Sequence, residues 1–186
     1  MQNKIVFSEG PRNVGKTFLI NKFLETHSNY QYFKFPFAQT YQECQNIFGE
    51  DLEKTMLGLT IGRDLTEMAF FKEQLLNTNL IIDRGILSTI VYGIIEKRWT
   101  EEQAKLFINS SLIPWDKLSV IFIQGINPEH RIKDEKWDKL LYKDQSETFI
   151  KTINQLGEQW GFTVKGFYNN FDVESIKRFQ FKIENI

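Results

Sequence analysis

Eight positions near the start of the chain have the types and spacing of a phosphate cradle. From Gly10 to Thr17 the sequence Gly-Pro-Arg-Asn-Val-Gly-Lys-Thr satisfies G-x-x-x-x-G-K-[ST] in full. Each fixed position answers a physical need. Gly10 and Gly15 admit backbone conformations that a β-carbon would hinder, so that successive N–H groups, those of Asn13 and Val14 among them, can wrap an anion. The Lys16 ammonium can reach the outer phosphates and the Thr17 hydroxyl can ligate magnesium. A chance match to these four positions is expected in roughly one chain of this length in a few hundred. The stretch therefore points to a nucleoside triphosphate, with ATP and Mg2+ the expected cofactors.

A second group capable of chemistry is Asp83-Arg84, which closes the apolar run Leu80-Ile81-Ile82. An aspartate at a strand's carboxyl end can hold a magnesium water or accept a hydroxyl hydrogen bond. The adjacent guanidinium is a planar fork suited to phosphate oxygens. The bland alternative is a buried bridge that caps a helix. Cys44 is the single cysteine, with no His or Cys near it in sequence, and reads as an ordinary helix residue. His27 and His130 are too far apart in sequence to suggest a metal site.

These groups need a scaffold, and the apolar pattern supplies one. Five runs read as buried strands: Lys4 to Ser8, Gln31 to Phe35, Leu80 to Asp83, Ser119 to Gln124 and Thr163 to Phe167. Between them lie helical patterns over Lys16 to His27, Thr60 to Leu76, Gly85 to Lys97, Thr100 to Ser110 and Asp144 to Trp160, with a weaker closing helix from Val173. Such alternation predicts an α/β fold of three layers, a five-stranded parallel sheet flanked by helices, with ligands at the carboxyl ends of the strands. No repeat or Pro/Gly-rich linker divides the 186 residues, so a single domain is expected. The segment 127–144 mixes Arg131 and four lysines with acids and has little apolar surface to pin it, which suits a short lid.

Bulk properties narrow the partners. The formal net charge of −1 gives no global attraction to nucleic acid or to an anionic membrane, so a small-molecule partner is expected rather than a stable nucleic-acid complex. One cysteine permits no intrachain disulfide, and the N-terminus lacks a secretory pattern; a cytoplasmic location is expected. Motif absences help as well. Asn21-Lys22-Phe23-Leu24 lacks the acid of a guanine-reading motif, no Asp is followed three residues later by Gly, and the third strand ends in Asp-Arg rather than the Asp-Glu of a mechanical ATPase.

At these residues the chain resembles the thymidylate kinases and the related deoxynucleoside kinases. Val6-Phe7-Ser8-Glu9-Gly10 leading into Gly15-Lys16-Thr17 is similar to that family's Phe-Glu-Gly approach to its loop. Lys34-Phe35-Pro36 is similar to its Arg-Phe-Pro or Arg-Glu-Pro segment, Arg63 stands at a similar distance before Asp83 as a family arginine, and Asp83-Arg84-x-x-x-Ser88 matches Asp-Arg-Tyr-x-x-Ser apart from the tyrosine. Gly85 stands where the family has an aromatic, and Leu59 where thymidylate kinases stack a phenylalanine on the base.

The resemblance implies in-line phosphoryl transfer from ATP to a deoxynucleoside monophosphate. It implies that Lys16, the loop amides, magnesium on Thr17 and Asp83, and Arg131 or, second, Arg12 neutralise the transferred group. Lys34, Arg63 and Arg84 would hold the acceptor phosphate, Asp83 would orient the sugar hydroxyl or magnesium shell, and Phe35 and Phe37 would wall the base or simply pack core. Asn169, in the loop after the last strand, would face the donor base or serve as a turn. The family often pairs through helices beside the acceptor pocket, so a homodimer through Met68 to Leu76 is a further expectation. Two rival readings are kinase action on a nucleoside or a hydroxymethylated base, free or in DNA, and a non-catalytic nucleotide-binding module.

Overall fold

The computed structural model describes residues 4–11, 14–74, 78–111, 113–125 and 139–186. Five strands form one parallel sheet: β1 (Ile5–Glu9), β2 (Tyr30–Phe33), β3 (Asn79–Asp83), β4 (Leu118–Gly125) and β5 (Thr163–Asn169), in the order β2-β3-β1-β4-β5. β1 lies at the centre and all five of its residues are buried, as a strand covered on both faces must be. The α/β three-layer expectation is met. So are the expected strands, each displaced by no more than two residues at its ends.

Alternation along the strands builds two cores. Ile5, Phe7, Leu80, Ile82, Val120 and Phe122 point to one face, while Val6, Ile81, Ile121 and Ile123 point to the other. The second face is covered by α1 (Lys16–Leu24) and α7 (Val173–Glu184) through Leu19, Ile20, Phe23, Phe179 and Ile183. The first carries α3 (Leu52–Gln74), α4 (Ile86–Ile95), α5 (Glu101–Ser110) and α6 (Lys139–Trp160), which contribute Phe71, Ile90, Ile108 and Phe149 among others. α5 starts on a capping box in which Thr100 and Gln103 satisfy each other's backbone amides.

The structure departs from the sequence expectation at three places. A helix absent from it, α2 (Phe37–Phe48), packs on α3, with Cys44, Met56, Leu59 and Phe35 forming a small third core. α3 itself begins at Leu52 rather than Thr60, and α6 at Lys139 rather than Asp144. The third concerns the stretch Met68 to Leu76, expected to pair two chains, of which the side chains are described only as far as Lys72. Met68 and Phe71 are core residues, and the exposed apolar side chains of α3 are Leu52, Leu57, Ile61 and Leu65. Segment 127–138 of the expected lid, with Arg131, lies outside the described residues, as do Arg12 and Asn13. No helix among the described residues is long and apolar enough to cross a membrane.

Candidate active site

The glycine-rich turn connects the carboxyl end of β1 to α1, and its two glycines are both required. Gly10 has φ 132° and a β-carbon there would lie 2.2 Å from the Ile123 carbonyl oxygen. Gly15 has φ 80°, and its β-carbon would meet the Asn169 amide at 2.5 Å. Both dihedrals fall where L side chains are strained. Lys16 opens α1 and is buried; its Nζ donates to the carbonyls of Gly10, at 3.0 Å, and of Pro11. Burial, reinforced by the neighbouring Arg84 charge, holds its pKa well below the ordinary lysine value.

β3 pairs in register with β1, Ser8 opposite Asp83, so Asp83 emerges beside the loop. One of its oxygens, Oδ2, gathers three donors: Thr17 Oγ1 at 2.5 Å, the Tyr32 hydroxyl at 3.2 Å and the Lys34 ammonium at 3.4 Å. The Tyr32 hydroxyl is correspondingly pushed up in pKa, by desolvation first and then by the Asp83 charge. Thr17 and Asp83 thus present a hydroxyl and a carboxylate oxygen side by side, hard donors of the kind Mg2+ takes.

Immediately after Asp83 the chain turns sharply. Arg84 has φ 61°, and its N–H donates to the Ser8 carbonyl at 3.1 Å. Its guanidinium lies 5.9 Å from the centre of the Tyr92 ring. Gly85 follows because no larger residue fits: a β-carbon would stand 2.2 Å from the Phe7 ring. Phe7 thus fills the space that an aromatic residue after Asp-Arg would need.

Arg63 reaches the same region from α3. Its Nε donates to Glu67 Oε1 at 2.8 Å, its Nη1 to Thr89 Oγ1 at 3.0 Å, and its Cζ lies 5.2 Å from the Phe35 ring centre. Lys16, Lys34, Arg63, Asp83 and Arg84 therefore line one cleft of about 750 Å³, within the size range of small-molecule sites. The cleft's apolar wall comes from Phe35, Phe37, Tyr41, Met56 and Tyr92. Phe35 both lines the cleft and belongs to the small core, whereas Phe37 is partly exposed and stacks parallel to Tyr41 with ring centres 6.2 Å apart.

Of the two expectations for Asn169, a base contact or a turn, its contacts are those of a turn. It is buried behind the loop, where its amide donates to the Val14 carbonyl at 2.9 Å and its oxygen accepts the Phe171 N–H at 2.9 Å. It braces the loop. Phe171, held by that bond, lines the cleft beside Gly15.

Several residues of this site were not singled out in the sequence, Tyr41 and Met56 of the apolar wall among them. Tyr32, Thr89 and Tyr92 carry no spacing signal. Glu67 lies four residues after Arg63, the helical spacing of an ion pair, which is the clue that was available.

A parallel sheet in the order β2-β3-β1-β4-β5, with a glycine-rich loop after its central strand and an Asp-Arg turn after β3, is the fold also found in phosphate-loop nucleotide kinases. Solved structures of such enzymes share it over nearly the whole chain. A thymidylate kinase from Ehrlichia chaffeensis is 15% identical, with a TM-score of 0.68, 100% of this chain and 98% of that one covered. A deoxyadenosine kinase from M. mycoides, solved with dCMP and dCDP, is 14% identical, with a TM-score of 0.64 and coverage of 98% and 100%. For a thymidylate kinase from Candida albicans the values are 14%, 0.66, 99% and 92%. At these identities the likeness establishes the fold. No family model and no curated protein matches the sequence.

Proposed function

We propose that the chain transfers the terminal phosphoryl group of ATP to a deoxynucleoside monophosphate, in the manner of a thymidylate kinase, with a pyrimidine base preferred. The observation that carries this reading is the meeting of Lys34 and Arg84 with Lys16 in one cleft. Cations in that number suit two anionic reactants, a triphosphate and a second phosphate. A neutral nucleoside would instead need a carboxylate to take its hydroxyl proton. Asp83, which borders the loop, already accepts two hydroxyls and pairs with Lys34 through one oxygen, Glu9 and Glu67 are buried and hydrogen-bonded to backbone amides, and Glu96 in the cleft lining pairs with Arg98.

In this reading the chain's work is alignment and charge compensation, which is most of what phosphoryl transfer asks of a protein. Lys16 and the loop amides hold the donor phosphates against the N-terminus of α1. Lys34 and Arg84 draw the acceptor phosphate towards them. Arg63, already neutralised by Glu67, offers its remaining N–H groups to the acceptor without adding net charge. The apolar wall of Phe35, Phe37 and Tyr92 seats the base and excludes water. Thr17 and Asp83 would hold magnesium, which when bound supplies charge neutralisation at the donor phosphates. Arg131 and Arg12 are the proposed further cations.

The test is a panel of nucleoside monophosphates, nucleosides and oligonucleotides, with and without hydroxymethylated bases, incubated with ATP and Mg2+. Turnover of monophosphates supports the reading. Turnover of nucleosides or oligonucleotides alone overturns the choice of acceptor, and tight ATP binding with no transfer to any of them leaves only a nucleotide-binding module.

A further inference from the structure

The Asp83-Arg84 turn is held in a backbone conformation that it would not keep by itself. A left-handed φ of 61° at an arginine is strained for a residue with a β-carbon and persists only where the surroundings fix it. Two carboxylates that nothing in the transfer chemistry uses do the fixing. Glu9, the last residue of β1, is fully buried; its Oε1 accepts the Gly85 N–H at 2.8 Å and its Oε2 accepts the Ser88 hydroxyl. Glu67, equally buried on α3, accepts the next amide, Ile86 N–H, at 3.0 Å through Oε2 while Oε1 holds Arg63. Arg84 is thereby bracketed by consecutive residues of β1: Ser8 takes its own N–H and Glu9 the one after it.

From this geometry we infer that Glu9 is a positioning residue for the acceptor side, fixing Arg84 through the first turn of α4 while touching no substrate itself. The proposal rests on the monophosphate reading for its kinetic consequence but not for its structural one. The charged groups facing Glu9 are Arg63 and Glu67 from α3, Arg84 from the turn and Lys16 from α1. Desolvation outweighs the Ser88 hydrogen bond and the two arginines and raises the Glu9 pKa to about 7. Only the ionised carboxylate accepts from both Gly85 and Ser88; the protonated form must turn one oxygen into a donor. Acceptor handling should accordingly strengthen as pH rises through neutrality.

Glu9→Gln keeps the shape and loses the ionisation, and Glu9→Ala removes both. Two measurements on the full chain decide the matter. In amide hydrogen exchange, Glu9→Gln at pH 8 is expected to speed exchange over residues 84–90 while leaving α7 as in the unmodified chain. Unchanged exchange over 84–90, or a uniform rise everywhere, overturns the proposal whatever the enzyme's substrate proves to be. In steady-state kinetics with a nucleoside monophosphate, Glu9→Gln is expected to raise the acceptor KM about tenfold, to leave the ATP KM nearly unchanged, and to lose the limb near pH 7 in acceptor kcat/KM. Glu9→Ala is expected to raise the acceptor KM further. Parallel changes for both substrates, or persistence of that limb in Glu9→Gln, overturn it. Absence of any turnover by the unmodified chain counts against the proposed function, and the exchange measurement then stands by itself.

Discussion

Thr17 and Asp83, 66 residues apart in sequence, meet at 2.5 Å between hydroxyl and carboxylate. The contact welds the start of α1 to the end of β3, so the group that would face the donor phosphates and the group that would face the acceptor are parts of one rigid corner.

Replacing Asp83 by Asn tests that corner. The change keeps the size but removes the charge that three donors share. Activity is expected to fall by at least about a hundredfold, with circular dichroism and the melting profile little altered. A variant that is both folded and active would remove Asp83 from the chemistry.

Lys16→Met separates function from stability. The ammonium is buried and its pKa depressed, so the native state gains little from its charge. Phosphoryl transfer should drop by about two to three orders of magnitude, while Tm stays close to that of the unmodified chain. A transfer assay and a calorimetric melt read the two effects.

Glu9 also gives stability a pH dependence of definite sign. Its folded pKa of about 7 lies above the reference 4.5, so between these values the native state binds more protons than the unfolded chain. Its contribution is fully present below pH 4.5 and lost as pH rises through about 7, an effect on the order of 3 kcal/mol. Glu67, also raised by burial, acts in the same direction. Urea denaturation at pH 5 and pH 8 should show a larger loss for the unmodified chain than for Glu9→Gln.

Gly85 and Phe7 should couple. Gly85→Ala places a methyl against the Phe7 ring and is expected to destabilise by about 1–3 kcal/mol. Phe7→Leu opens a cavity by itself but should offset part of the Gly85→Ala cost when the two are combined, which a double-mutant cycle in denaturant measures. Simple additivity would count against the steric explanation for this glycine.

Much of this molecule was legible in its sequence, for identifiable reasons. β1, β3 and β4 are nearly uninterrupted apolar runs because both faces of a central strand are covered, and the glycine-rich loop announces itself because so few residues meet its steric demands. α2 was invisible because Cys44 is its one buried side chain, too little to make a stripe. The first turns of α3 were hidden for a related reason: Leu52 and Leu57 are exposed, and Gly58 is present because the Phe48 ring of α2 would lie 2.9 Å from a β-carbon there. Glu9 was read as part of the approach to the loop, since an acid at a strand's end gives no sign that its partners lie 76 and 79 residues away. Asn169 stayed open between a base contact and a turn because an amide in a loop looks the same in sequence whether it faces a ligand or the protein's own backbone.

Lys16 rests on two carbonyl groups of its own loop. An arriving polyphosphate must therefore trade places with those oxygens, and the net gain is a difference between two sets of ammonium contacts. Small monovalent anions, which can replace only part of that solvation, are at a disadvantage in such an exchange. Under the proposed function a chain of linked phosphates would engage the lysine and several amides at once, and the resting loop would then act as a filter for ligands that can pull the ammonium away.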